Sequence, residues 1–339
     1  MGGLDAGFFI IFVPQGDLDD PGYAKARATA EEKYQSILRM VDGNAGEIGL
    51  ARDADAVEAL HAEGKLVAML GIENSYSLGS TPEEVKQSVA LWAERGALYA
   101  SITHFGHNQF GGSSNPSFNR DDGPDQGLTD LGGVLVSTLN DHGIMVDVSH
   151  VGPATTADAI AVSRAPVIAS HSTVAAVHDN PRGLTDEQLR AIRDTGGVAQ
   201  ITAYRSYIGA IDPRIIEALG VLRSRLGINS YADYVSASSE TLDELHREQT
   251  LIRAKFDDVT LAQFLDHVDH AVSVIGIDHV GLSGDFDGGG GVAGWDNAAE
   301  TPNVTAELID RGYSEQDIAK LWGLNILRVM RAVQAAAAK

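Results

Sequence analysis

The chain has 339 residues, 44% of them hydrophobic, with 47 acidic against 25 basic residues and a formal charge of -22. That charge repels phosphate backbones and argues against nucleic-acid binding, and no uncharged apolar run approaches the length of a membrane-spanning helix. With no cysteine, disulfides and thiolate metal sites are excluded, so any metal must be held by His and carboxylates.

Short apolar runs alternating with helical patterns are the sequence form of βα units around a parallel sheet. Seven runs read as strands: 7–13, 66–72, 98–103, 144–148, 166–169, 197–201 and 279–283. The first is apolar, but Asp5 interrupts the opening and no basic residue precedes it, so it reads as a buried strand and not as a signal peptide. Amphipathic stretches at 23–40, 82–93, 131–141, 154–162, 186–193 and 261–275 lie between most of them. The charged segment 206–255 is longer than a βα connection needs and reads as helical decoration or a lid, and 305–338 supplies closing helices. These elements predict one (β/α)8, TIM-like barrel domain over 1–339. Seven strands do not close an eight-stranded barrel; the expected gap lies before Met1, the alternative being a strand hidden within 206–255.

In such a barrel the active site forms at the C-terminal ends of the strands. Five of the seven runs end in, or just before, an ionisable residue: Glu73, His104, His150, His171 and Asp285. Imidazole and carboxylate are what zinc and related cations take when thiolate is absent, and these five side chains converge on one mouth. A metal-dependent hydrolase follows, since a bound cation supplies hydroxide at neutral pH. Asp147, three residues before His150, reads by strand alternation as a structural or supporting carboxylate. His107 and His178 fall on loops as lesser substrate-contact candidates, while His61, His142, His246, His267 and His270 read as surface residues. The run Gly288 to Gly291 lacks the Lys-Ser/Thr ending of a phosphate loop and reads as a flexible turn near the site.

The motifs Gly-Ile-Glu-Asn (71–74), Thr-His (103–104), Val-Asp-Val-Ser-His (146–150), Ala-Pro-Val-Ile-Ala-Ser-His-Ser (165–172), Asn-Pro-Arg-Gly (180–183) and His-Val-Gly-Leu-Ser-Gly-Asp-Phe-Asp-Gly (279–288) resemble the membrane (renal) dipeptidase family in order and spacing. So do Gly-Gly-Leu-Asp-Ala near the start and Trp-Gly-Leu-Asn-Ile-Leu-Arg-Val at 322–329. The resemblance implies two zinc ions per subunit, with Glu73 bridging them and His150 and His171 on one ion. The family's ligands for the other ion, a His-x-Asp pair on the first strand, have no counterpart in this sequence. It further implies that Asp285 handles the proton, that Arg182 receives the dipeptide's carboxylate, and that His104 stabilises the tetrahedral intermediate.

The implied activity is hydrolysis of dipeptides, family members often accepting a C-terminal D-residue, by attack of metal-bound hydroxide. Two alternatives stay open: hydrolysis of N-acyl amino acids on the same frame, and a truncated, inactive relative acting as a binding protein. Relatives are often homodimers and often exported or membrane-attached; the sequence leaves the compartment undecided, any signal peptide lying outside it.

Overall fold

The computed structural model describes residues 2–116 and 123–337. Met1, Ala338 and Lys339, at the outer limits of the predicted domain and of its closing helices, lie outside the described residues.

Among the described residues nine strands form one parallel system: β1 Ala6–Phe12, β2 Ile48–Leu50, β3 Leu66–Glu73, β4 Ala97–Ser101, β5 Met145–Asp147, β6 Val167–Val174, β7 Gly183–Leu184, β8 Val198–Thr202 and β9 Val280–Ser283. Its main path runs β1-β3-β4-β5-β6-β8-β9, the seven strands read from the sequence, and each pairing along it is parallel. The sheet curls as an α/β, TIM-like half-barrel, and among the described residues its end strands β1 and β9 do not pair. The described part of 206–255 holds no strand; it folds into the helices Arg205–Ile208, Pro213–Arg225, Tyr231–Ser236 and Ser239–Arg253. Two short strands escaped the sequence reading. β2 flanks the start of β3, with Ile48 opposite Leu66, and β7 flanks the end of β6, with Thr173 opposite Gly183. Each has three residues or fewer, too short for an alternation pattern to stand out.

β3 carries Leu-Val-Ala-Met-Leu-Gly-Ile-Glu with its middle six residues buried. A near-continuous apolar run of this kind is what a parallel strand covered on both faces requires. Its register with β1 is continuous from Ala6 opposite Val67 to Phe12 opposite Glu73. Gly71 is fixed by packing: a Cβ there would stand 2.4 Å from the Tyr99 ring, which itself meets the Phe8 ring edge-on at 5.0 Å.

The helices are delimited by their caps. Thr81 accepts a hydrogen bond from the Glu84 amide, Pro82 opens the helix Pro82–Arg95, and Gly96 closes it in the left-handed region at φ 95°. Capping boxes start two more, Thr185 with Gln188 for Asp186–Asp194 and Thr260 with Gln263 for Leu261–Ile275. At the chain's far end, the helix Asn325–Ala337 closes the N-terminal side of the sheet. Arg328 donates to the carbonyls of Gly196 and Asp278, just ahead of β8 and β9, and Asn325 donates to those of Ile277 and Val280. The C-terminal ends of the strands face the opposite side.

Candidate active site

Glu73 is the last residue of β3; His104, His150 and Asp285 lie just past the ends of β4, β5 and β9; His171 sits within the C-terminal half of β6. The parallel sheet therefore brings four of these side chains around one another. The Glu73 carboxylate Oε1 lies 3.2 Å from His150 Nε2, 3.1 Å from His171 Nε2 and 3.7 Å from His104 Nε2. The two Nε2 atoms of His150 and His171 are 2.9 Å apart, and the His104 ring stacks obliquely on His150 with centroids at 4.0 Å.

Strand alternation alone does not place these groups. β5 ends at Asp147, and His150 adopts φ 67°, in the left-handed region. Among the described residues Asn74, Asp285 and Asp287 are the other non-glycine residues there, so all four lie at or beside strand ends at the mouth. Such conformations cost on the order of 1–3 kcal/mol each and persist where surrounding contacts hold them, typically at functional sites. Asn74 shows what holds it: its amide donates to Ser101 Oγ, and its side chain donates to the carbonyl of Val13.

The electrostatics favour a charged carboxylate among imidazoles. Burial opposes the Glu73 charge, but hydrogen bonds from His150 and His171 and the charges of His171 and His104 hold the carboxyl well below the usual carboxylate range. Burial, together with Arg182 and His104, drives His150 well below its ordinary value. His171 goes the other way, since the Glu73 hydrogen bond and charge outweigh burial and raise it. Burial pushes His104 down to about 4 against the attraction of Glu73. It pushes the Asp285 carboxyl up to about 6, with Glu73 reinforcing and His171 and Arg182 opposing.

Arg182 is 3% exposed; its Nη2 donates to the His171 carbonyl at 2.7 Å, and its guanidinium lies 5.7 Å from the Tyr207 ring centroid. Its Nε has no hydrogen-bond partner. Tyr207 stacks on Tyr204 with centroids 4.3 Å apart. Sequence reading missed this aromatic pair, which follows β8 directly; two tyrosines just past a strand end were the available signal.

Other histidines sort by their partners. His107 accepts a hydrogen bond from the Ser113 amide and bonds the Gly123 carbonyl through Nε2, so it braces its own loop. His267, expected at the surface, is fully buried. Its Nδ1 accepts the Val174 amide at 3.1 Å and its Nε2 bonds the Ile208 carbonyl at 3.1 Å. Within its helix His267 lies three residues after Phe264 and four before Ala271, on the buried face, a periodicity that could have corrected the reading. The glycine run is a hydrogen-bonded turn: the Gly288 and Gly290 amides donate to the Asp285 carbonyl, and the Gly291 amide donates to that of Ala203.

Glu73, His150 and His171 form a group able to hold a metal ion. A tetrahedral zinc site with ligands at ~2.0–2.1 Å has donor–donor edges of about 3.3 Å. The triangle seen here, 2.9, 3.1 and 3.2 Å on its sides, is of that size, and its chemistry of one carboxylate and two imidazoles suits zinc or a neighbouring divalent cation.

Known proteins give the same indication. The family model for membrane dipeptidases, peptidase family M19, matches residues 1–339. The chain is 30% identical over 317 residues to dipeptidase verJ of Clonostachys rogersoniana, an alignment covering 93% of this chain and 67% of that protein. The fold is similar to the crystal structure of the probable dipeptidase PvdM from Pseudomonas aeruginosa, with a TM-score of 0.82 and 32% identity over 99% of this chain and 87% of that one. It is also similar to a metallo peptidase from Rhodobacter sphaeroides liganded with a phosphinate mimic of the dipeptide L-Ala-D-Ala, with a TM-score of 0.71 and 25% identity over 98% of this chain and 88% of that one. The curled parallel sheet, the His and Glu group at its mouth and these matches lead to one conclusion: the chain belongs to the membrane dipeptidase family of metallopeptidases, M19.

Proposed function

We propose that this chain is a zinc-dependent dipeptidase whose metal ligands include Glu73, His150 and His171. The observation that carries the reading is the convergence of those three donor atoms on one another at 2.9–3.2 Å. When bound, the cation would activate water and polarise the scissile carbonyl. Two zinc ions per subunit, as the resemblance implies, would need further ligands beyond this group.

The protein's own groups divide the remaining work. Asp285, raised to about 6, exchanges a proton readily near neutral pH and would take one from the attacking water and return it to the leaving amine. His104, held neutral by burial, offers a ring N–H as hydrogen-bond donor to the oxygen that gains charge. The Arg182 guanidinium, with Nε unpartnered, suits the free carboxylate of a dipeptide because its planar fork binds carboxylates bidentately. The helices Pro213–Arg225, Tyr231–Ser236 and Ser239–Arg253, inserted between β8 and β9 of a single catalytic unit, are read as cover for the mouth. No helix among the described residues is long and apolar enough to cross a membrane.

The test is metal analysis of the purified chain followed by turnover of L-Ala-D-Ala and Gly-D-Ala against N-acetyl-D-alanine, with sedimentation to check the implied homodimer. Zinc-dependent cleavage of the dipeptides supports the proposal. Cleavage of the N-acyl compound alone would transfer the site to amidohydrolysis. Failure to retain zinc, with no turnover, would overturn it.

A further inference from the structure

Behind His171 runs a chain of hydrogen bonds. Asp147 is fully buried at the end of β5. Its Oδ1 accepts the amides of Ser149 at 3.0 Å and Ser170 at 2.8 Å, and its Oδ2 is 2.6 Å from Ser170 Oγ. Ser170 Oγ in turn lies 2.7 Å from His171 Nδ1. Burial raises the Asp147 carboxyl above its ordinary range, opposed by the His171 charge and these hydrogen bonds; but backbone amides can only donate, and three donors on one carboxyl group favour its ionised, acceptor-only form near neutral pH. The single hydroxyl proton of Ser170 is then committed to Asp147, which leaves only a lone pair for His171.

We propose that Asp147 and Ser170 are positioning residues that fix a proton on His171 Nδ1 and so leave Nε2, which faces Glu73 and His150, as the ring nitrogen that gives up its proton for a metal ion. The inference rests on the metal-site reading given above. His150 shows the contrast: its Nδ1 is buried with no hydrogen-bond partner among the described residues. One imidazole of the pair is therefore oriented through its far nitrogen, and the other by its backbone at φ 67°. His171 is held a second way, its own amide donating to Ser149 Oγ at 2.9 Å. Outer hydrogen bonds of this type set the ring orientation and basicity of metal-bound histidines, and their loss commonly weakens metal binding 10- to 100-fold.

The direction of the relay gives a test that simple loss of packing would not pass. Asp147→Asn is close to isosteric. With its carbonyl oxygen still accepting the two amides, its NH2 faces Ser170 Oγ and donates where the carboxylate accepted. The Ser170 hydroxyl must then donate to His171 Nδ1, which drives the imidazole proton to Nε2 and blocks the ligand atom. Zinc affinity is measured by competition with a chromophoric chelator for the unmodified chain, Asp147→Asn, Ser170→Ala and the control Ser163→Ala. The control removes a hydroxyl that donates to the Ala165 carbonyl at 2.8 Å, away from the site. Histidine 15N NMR of the metal-free chain at pH 7.5 reports the His171 proton, assigned with a His171→Asn sample.

The expected result is that Nδ1 carries a proton in the unmodified chain, and that zinc binds about 10- to 100-fold more weakly in Ser170→Ala. Asp147→Asn should lose at least as much and shift the proton off Nδ1, with Ser163→Ala within about twofold of the unmodified chain. Nδ1 found unprotonated in the unmodified chain, or both site variants binding zinc as it does, would overturn the relay. If the unmodified chain binds no zinc, the functional reading fails, while the NMR still decides whether the proton is fixed on Nδ1.

Discussion

His267 offers a direct measurement of what the tertiary structure imposes on one side chain. It bridges the end of β6, three residues beyond His171, to the Ile208 carbonyl that follows β8, and burial pushes its imidazole down to about 4 from an ordinary 6.5. Because Nδ1 must accept the Val174 amide, the ring is needed neutral. Above pH 6.5 both folded and unfolded chains carry it neutral, and its contribution to stability is fully present. As pH falls from 6.5 towards 4, the unfolded chain takes up a proton that the folded chain refuses, so stability declines across that window. The full loss is about 3 kcal/mol, most of it complete by pH 4.5. The experiment is urea denaturation followed by circular dichroism at pH 7.5 and pH 4.5 for the unmodified chain and His267→Gln, which cannot titrate. At pH 7.5 the variant should be less stable by about 1–3 kcal/mol, the cost of leaving buried polar partners unpaired. At pH 4.5 that gap should close or invert, because only the unmodified chain has lost the His267 term. Equal pH dependence in both proteins would refute the assignment of His267 as a neutral structural bridge.

Further expectations concern the site and its frame. Glu73→Gln should weaken zinc retention by on the order of a hundredfold or more, since an uncharged amide replaces the carboxylate common to His150 and His171; equilibrium dialysis with metal analysis checks it. The acid limb of kcat/KM should follow deprotonation of Asp285, with rate rising as pH increases through a midpoint at or below about 6, the bound cation favouring the carboxylate; Asp285→Asn should remove both the limb and most of the rate. Arg182→Lys should raise KM for dipeptides about tenfold or more with a smaller change in kcat, because an ammonium cannot reproduce the fork; an unchanged KM would remove Arg182 from carboxylate binding. Gly71→Ala sets a Cβ 2.4 Å from the buried Tyr99 ring and should cost about 1–3 kcal/mol by overpacking, read as a lowered thermal midpoint.

Much of the candidate site was written in single runs of residues. Glu73, His104, His150, His171 and Asp285 each close or follow an apolar run, and a parallel sheet carries the ends of its strands to one side whatever fills the loops. The seven strands of the main path and the six amphipathic helices between them were legible for the same reason: burial on both faces, or on one, leaves a period in the sequence. Very short elements such as β2 and β7 leave no period, and they went unread.

What the tertiary structure alone decided depends on residues far apart in the chain. The 2.9–3.2 Å triangle of Glu73, His150 and His171 is set by the pairing of β3, β4, β5 and β6 and by a backbone turn at His150 that no alternation rule yields. Asp147 was read as a structural or supporting carboxylate, but its hydrogen-bond partner Ser170 lies 23 residues away and was not read. The bond between His267 and Val174 spans 93 positions. Local periodicity fixes which face a side chain presents, whereas the partner it meets there is chosen by the folding of the whole sheet. The sequence by itself therefore determined the family of the chain and the side of the barrel on which the candidate residues lie; only the packed fold determined the distances, the buried environments that shift Asp285 and His104, and the hydrogen-bond partners behind His171.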